Sequence, residues 1–271
     1  GTTAIVATAL ADGQTLTTSG AGATTITGLQ ADLTDTSTAA QNITVADVAT
    51  ITLGLGSDTT GTDAIVATAL TDGDVLTLTG ANDATISFDE GDITASAYTG
   101  GLTVTGTGTA GQFTTGTASS SISSTGTTAI VATALADGQT LTTTGNGALT
   151  ITGLQANLAV NDARSAAHSV TAAAVANLTV AMGTSTSGTD TIVATALTDG
   201  QVLTLTGSNS TNLSFANGDI TASAFAGALA VTGSGTTGQF TTGVASSSIS
   251  STGATTIVAT ALADGQTLTT S

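Results

Sequence analysis

The chain has 271 residues, of which Thr supplies about a quarter and Gly 34, with no Pro, Cys or Trp, and its 17 Asp, single Glu and single Arg give a formal net charge of −17. With Arg164 as the one permanent cation and no Lys, the chain has nothing to neutralise a row of phosphates, which excludes nucleic acid as a partner. The missing cysteines exclude a disulfide framework and thiolate metal sites, and no apolar run approaches the roughly 20 residues that span a bilayer, so membrane insertion is not expected.

Positive mean hydropathy (+0.39) and recurrent β-branched runs point to a folded chain rather than a disordered one. No charged segment followed by an apolar one opens the chain, so an export signal is expected to lie outside it or to have been removed.

The first element, residues 2–18, reads TTAIVATALADGQTLTT, returns unchanged at 127–143, and recurs nearly intact from Thr255 to Ser271. Its "AIVATALADG" portion could end as a short helix at the glycine, but β-branched Ile, Val and Thr favour a strand. "ADGQ" and, later, "TDGD" supply the Asp-Gly pair of a tight turn, whose glycine accepts positive φ. Anchored on Ile5, Ile65, Ile130, Ile192 and Ile257, the repeats are separated by 60, 65, 62 and 65 residues. Two unit types alternate: type A at 1–60 and 126–187, type B at 61–125 and 188–253, and a partial type A at 254–271, read as one continuous array.

Type B units share an ungapped second half, "GDITASAYTGGLTVTG…" from Gly91 and "GDITASAFAGALAVTG…" from Gly218. Type A units diverge late, where "DTSTAAQNITV" from Asp35 faces "NDARSAAHSV" from Asn161, a segment expected to be a variable surface loop.

Within each unit, short runs alternate apolar and hydroxyl residues, as in Val75–Thr79, Ala84–Phe88 and Leu102–Thr105, the period-two mark of strands with one buried face. Six or seven such strands are expected per unit. Aromatic residues are few, and small Ala, Val, Thr and Leu suit a thin interior in which similar turns stack. The expected fold is therefore all-β, a β-solenoid with about 20 residues per turn and about three turns per unit. Missing Pro agrees, since Pro removes a ladder hydrogen bond.

Candidate sites are sparse. Asp89, Glu90 and Asp92 in "SFDEGDI", with Asp83, Asp72 and Asp74 near in sequence, could offer oxygen ligands to calcium; the matching "SFANGDI" keeps only Asp219. No other cofactor is implied. His168, Arg164 and Asp162 lie in the divergent segment, where a surface loop is the stronger reading than a catalytic triad. Asn42, Asn177, Asn209 and Asn212 fit the glycosylation pattern, which a Ser- and Thr-rich chain matches by chance. Thr-X-Thr triplets, among them Thr15–Thr17, Thr25–Thr27, Thr77–Thr79, Thr140–Thr142 and Thr204–Thr206, are similar to the ranks of ice-binding β-solenoids, although their sequence spacing is irregular; exposed β-branched residues in strands are the simpler account.

The phrases "ADGQTLTTSG", "TDGDVLTLTG" and "GLTVTG" resemble the Thr/Ser/Gly-rich, lysine-poor repeats of large secreted bacterial surface proteins: S-layer-like proteins, giant adhesins and fibre-forming β-solenoids. The resemblance implies an extracellular or cell-surface location. It leads to the expectation of a non-enzymatic segment of a filament, sheath or surface layer that assembles with itself, head-to-tail and laterally, because the chain closes on the phrase with which it opens. The alternative is an adhesin stalk or an ice- or ligand-binding repeat module.

Overall fold

The fold is described from a computed structural model, which covers residues 1–57, 61–160, 166–184 and 188–271. Among the described residues every regular element is a strand. The chain divides into two compact units, Gly1–Gln139 and Thr140–Ser271.

The first unit contains β1 (Thr3–Val6), β2 (Thr15–Gly20), β3 (Thr24–Leu29), β4 (Asp32–Ser37), β5 (Gln41–Val45), β6 (Thr50–Leu55) and β7 (Thr62–Ala67). It continues with β8 (Val75–Gly80), β9 (Asp83–Phe88), β10 (Asp92–Tyr98), β11 (Leu102–Gly106), β12 (Gln112–Thr114), β13 (Ser120–Ser124) and β14 (Thr128–Val131). The second contains β15 (Thr140–Gly145), β16 (Leu149–Leu154), β17 (Asn157–Val160), β18 (Ser169–Ala172), β19 (Asn177–Ala181), β20 (Asp190–Ala194) and β21 (Val202–Gly207). It ends with β22 (Thr211–Phe215), β23 (Asp219–Phe225), β24 (Leu229–Gly233), β25 (Gln239–Thr241), β26 (Ser247–Ser251), β27 (Thr256–Val258) and β28 (Leu268–Thr270).

In each unit the odd-numbered strands form one sheet and the even-numbered strands another, each strand lying beside those two before and two after it. Among the described residues the strand pairings are parallel, as for β7 with β9 and β22 with β24. One turn is therefore two strands, and the expected β-solenoid is the observed fold. The "AIVATALADG" segment is a strand only in its first part: β1 ends at Val6, and a Leu10 N–H to Ala7 C=O bond (3.2 Å) folds the rest into a turn. The Asp-Gly turns close as read, with Gly13 at φ 77° inside a Gln14 N–H to Ala11 C=O bond of 3.1 Å.

Alternation becomes columns once the turns are in register. Ile5, Ile26, Ile43, Ile65, Ile86, Val104 and Ile122 stack one above another along the odd sheet of the first unit. Ile151, Val170, Ile192, Leu213, Val231 and Ile249 do the same along the even sheet of the second. These columns close the space between the two sheets, and burying each such side chain stabilises by about 1.5–3 kcal/mol. Six aromatic side chains, Phe88, Tyr98, Phe113, Phe215, Phe225 and Phe240, fill the wider places and are almost fully buried.

Tyr98 and Phe225 reach the interior through a bulge: in β10 and β23 two successive residues face outward before the aromatic turns in, as an extra residue in one strand dictates. Gly80 has φ +118°, and a Cβ there would lie 1.5 Å from the Leu55 carbonyl oxygen, so only glycine fits where β8 leaves its sheet.

Strand counting revises the expected three turns per unit. From Ile5 in β1 to Ile65 in β7 there are six strands, or three turns, but from Ile65 to Ile130 in β14 there are seven, or three and a half. Ile5 and Ile65 thus lie in the odd sheet of the first unit and Ile130 in its even sheet; in the second unit Ile192 and Ile257 are likewise in different sheets. A type B repeat moves the phrase that follows it from one face to the other.

Candidate interaction surface

The outward residues of each sheet form columns as regular as those inside. On the odd sheet of the first unit, one column runs through Thr44, Val66, Ser87, Thr105 and Ser123, and its neighbour through Thr25, Asn42, Ala64, Thr85, Thr103 and Ser121. Neither column carries a charge. Between them runs a shallow furrow of about 240 Å³ over Ile65 and Ile86. On the even sheet of the second unit, the matching type B strands, joined by Thr269 and Ser271 of the last turn, line a similar furrow of about 330 Å³, with Thr191, Asn212, Ala230 and Ser248 on one side and Ser214, Thr232 and Ser250 on the other. The Thr-X-Thr triplets are divided between sheets: Thr15–Thr17 and Thr77–Thr79 lie in the even sheet of the first unit, Thr25–Thr27 in its odd sheet, and Thr140–Thr142 and Thr204–Thr206 in the odd sheet of the second.

Side-chain acceptors hold the rims. Asp32 accepts from Thr52 N–H (2.7 Å), Asp92 from Gln112 N–H (2.9 Å) and Asp219 from Gln239 N–H (3.1 Å), each about one turn later. These bonds satisfy backbone donors where the ladder stops, which would otherwise cost free energy. Rims built this way need acceptors rather than donors, a physical reason for many Asp and almost no Lys or Arg.

The proposed calcium residues belong to this set. Glu90 accepts from Thr109 N–H (3.1 Å) and Ala110 N–H (3.0 Å), Asp89 from the Thr107 hydroxyl (2.9 Å), and Asp92 from Gln112 N–H. In the second unit the neutral Asn217 replaces Glu90 and accepts from the corresponding Thr236 N–H (2.9 Å). Charge is therefore not what this position requires. Among the described residues no three His, Cys, Asp or Glu side chains gather where they could hold one metal ion. Asp74 accepts from the Thr71 N–H and hydroxyl, which hold its carboxyl below the usual range; Gln201 makes the same N–H bond in the second unit.

His168 departs from the loop reading: it is 3% exposed. Arg164 and Asp162 lie outside the described residues. His168 corresponds to Gln41, and both belong to equivalent buried polar groups. In the first unit Gln41 Oε1 accepts from Thr24 N–H (3.1 Å), while Asp63 accepts from Gln41 N–H (2.8 Å) and the Asn82 amide (3.3 Å). In the second, His168 Nδ1 accepts from Leu149 N–H (3.4 Å), while Asp190 accepts from His168 N–H (2.8 Å) and the Asn209 amide (3.0 Å). Asn209, one of the glycosylation-pattern residues, is thus buried in the core, whereas Asn42, Asn177 and Asn212 are exposed. The Tyr98 hydroxyl donates to the Asn82 carbonyl. Burial, then the charges of Asp63 and Asp83, push its pKa well above the ordinary phenol value.

Two kinds of feature therefore stand out: buried polar groups inside, and flat uncharged columns outside. No family model matches the chain, and no curated protein or solved structure matches it.

Proposed function

We propose that the chain is a non-enzymatic structural segment of an extracellular filament, sheath or surface layer of bacterial surface-protein type, built by axial stacking of β-solenoid repeats. The observation that supports this most is that within each unit the turns are joined by parallel backbone ladders and by columns of Ile, Leu, Val and Phe. Cohesion of that kind accumulates turn by turn and is indifferent to fine sequence detail. The carboxylates are spent on rim N–H groups rather than paired across a cleft. A single Arg and no Lys leave trypsin one cleavage point, which suits an exposed habitat. Electron microscopy of purified protein at rising concentration tests the reading: filaments growing without added ligand are expected, and only short dispersed particles at high concentration would contradict it.

A second reading, an adhesin stalk or an ice- or ligand-binding repeat module, draws on the registered hydroxyl columns. It predicts a monodisperse protein that binds ice, glycans or cells, and a protein that forms filaments and binds none of these would dismiss it.

A further inference from the structure

We propose that the furrowed face of the type B repeat is a lateral contact between two copies of this chain, the columns of one copy seated in the furrow of the other. The inference rests on the filament reading for its setting, but it concerns the sides of the solenoid rather than its axis.

Four observations carry it. First, charge is absent from both outward columns of this face in a chain of net charge −17, so two such faces meet without burying an ion, a step that costs several kcal/mol per ion. The acids sit at the rims, as with Asp83, whose carboxylate accepts from Gly101 N–H. Second, Val66, 40% exposed, is one of the two exposed large hydrophobic side chains among the described residues and lies on this face. Third, a similar furrow appears over the type B strands of each unit although several of its residues differ, as Thr103 and Ala230 do.

The fourth observation selects the occupant. Columns that interdigitate over several turns need a partner with the same rise, about 4.8 Å per strand, and another copy of this solenoid has it by construction. Small hydroxyl and methyl side chains from facing sheets can then mesh with the sheets roughly 10 Å apart, as in dry sheet-to-sheet interfaces. The four type B strands of one such face, β7, β9, β11 and β13 in the first unit, each offer about five residues and give on the order of 300 Å² per partner. That total of roughly 600 Å² lies below the size of a stable specific interface, so the pairing is weak, transient and dependent on concentration. The acidic rims repel across it, and salt screens that repulsion.

Sedimentation of the full chain from low to high concentration, at two NaCl levels, tests this, with Val66→Asp/Ser87→Asp/Ser214→Asp/Thr232→Asp as the comparison. All four positions face outward, and an unchanged circular dichroism spectrum establishes that the variant is folded. The expected result is a dimer that tightens with salt in the natural chain and weakens at least tenfold in the variant. A chain that stays monomeric at high concentration and high salt, or a folded variant that pairs as well as the natural chain, overturns the proposal. Microscopy separates the two readings: paired filaments that become single in the variant support lateral contact, and filaments that are single in both overturn it while leaving axial assembly intact. Dimers without any filaments sink axial assembly instead and leave the lateral contact standing.

Discussion

The two units contain the same buried polar group built from different residues. In the first, Thr24, Gln41, Asp63, Asn82 and Tyr98 take part; in the second, Leu149, His168, Asp190, Asn209 and Phe225 stand at the matching places. What persists is the carboxylate that accepts a backbone N–H one turn earlier and an Asn amide one turn later. What varies is the acceptor above it, amide oxygen in one unit and imidazole nitrogen in the other, and the aromatic ring nearby. The comparison separates what stacking requires, an acceptor at a fixed height, from what it tolerates.

The largest expected effect comes from removing the shared element. Asp63→Ala leaves the Gln41 N–H and the Asn82 amide without their acceptor inside the core, costing about 2–4 kcal/mol, and Asp190→Ala costs a similar amount in the second unit. Hydrogen exchange followed by mass spectrometry should show lost protection confined to the mutated unit. If one of the two substitutions proves silent, the groups are not equivalent.

Next is Tyr98→Phe, which gives the first unit the ring of the second. It removes the hydroxyl bond to the Asn82 carbonyl, at a cost of about 1 kcal/mol, and it alters the alkaline response. Because the folded pKa of Tyr98 is raised, the unfolded chain loses this proton first, near pH ~10. Stability is therefore flat below that pH and falls as pH rises above it. Denaturant titrations between pH 8 and 11 should show that fall in the first unit and a shallower one after Tyr98→Phe; equal slopes would refute the assignment.

His168→Gln makes the second unit resemble the first and should change stability by less than about 1 kcal/mol, since Gln41 Oε1 does the same task in its own unit. His168→Leu, which leaves Leu149 N–H without an acceptor, should cost about 1–3 kcal/mol. Equal losses from both variants would mean that the ring acts by its volume.

Smallest are the rim exchanges. Glu90→Asn, the residue pattern of the second unit, should stay within about 0.5 kcal/mol at neutral pH. Asp74→Gln should be neutral there as well, and it should remove one acid-sensitive contribution. The depressed Asp74 carboxyl stabilises above its unfolded pKa and ceases to do so as pH falls through its lower folded value, whereas Gln does not titrate. Melting curves from pH 7 to 2 measure this.

Much of the architecture could be read from residues alone, because Leu102–Thr105 or Val75–Thr79 alternate with period two and every alternate side chain must find cover. The exchange of faces after type B was hidden. It depends on counting β12, three residues long, and β13, where "SSISS" buries serines that do not read as apolar. The hydroxyl ranks were obscured for a related reason: neighbours in a column are separated by unequal numbers of residues, such as Asn42 to Ala64 and Thr85 to Thr103. His168 carried a usable signal, since "AAQNIT" and "AAHSVT" align Gln41, the first residue of β5, with His168, which immediately precedes β18. The composition around it, rich in Ala and Ser, argued for a loop and concealed the core position.

The account turns on cohesion by parallel turns stacked on one another within each unit. Diffraction from oriented assemblies of the purified chain measures that directly. The prediction is a reflection near ~4.8 Å along the long axis of the assembly, from strands lying across it. A spacing of that size found only at right angles to the long axis, or a pattern dominated by helical spacings, would contradict it.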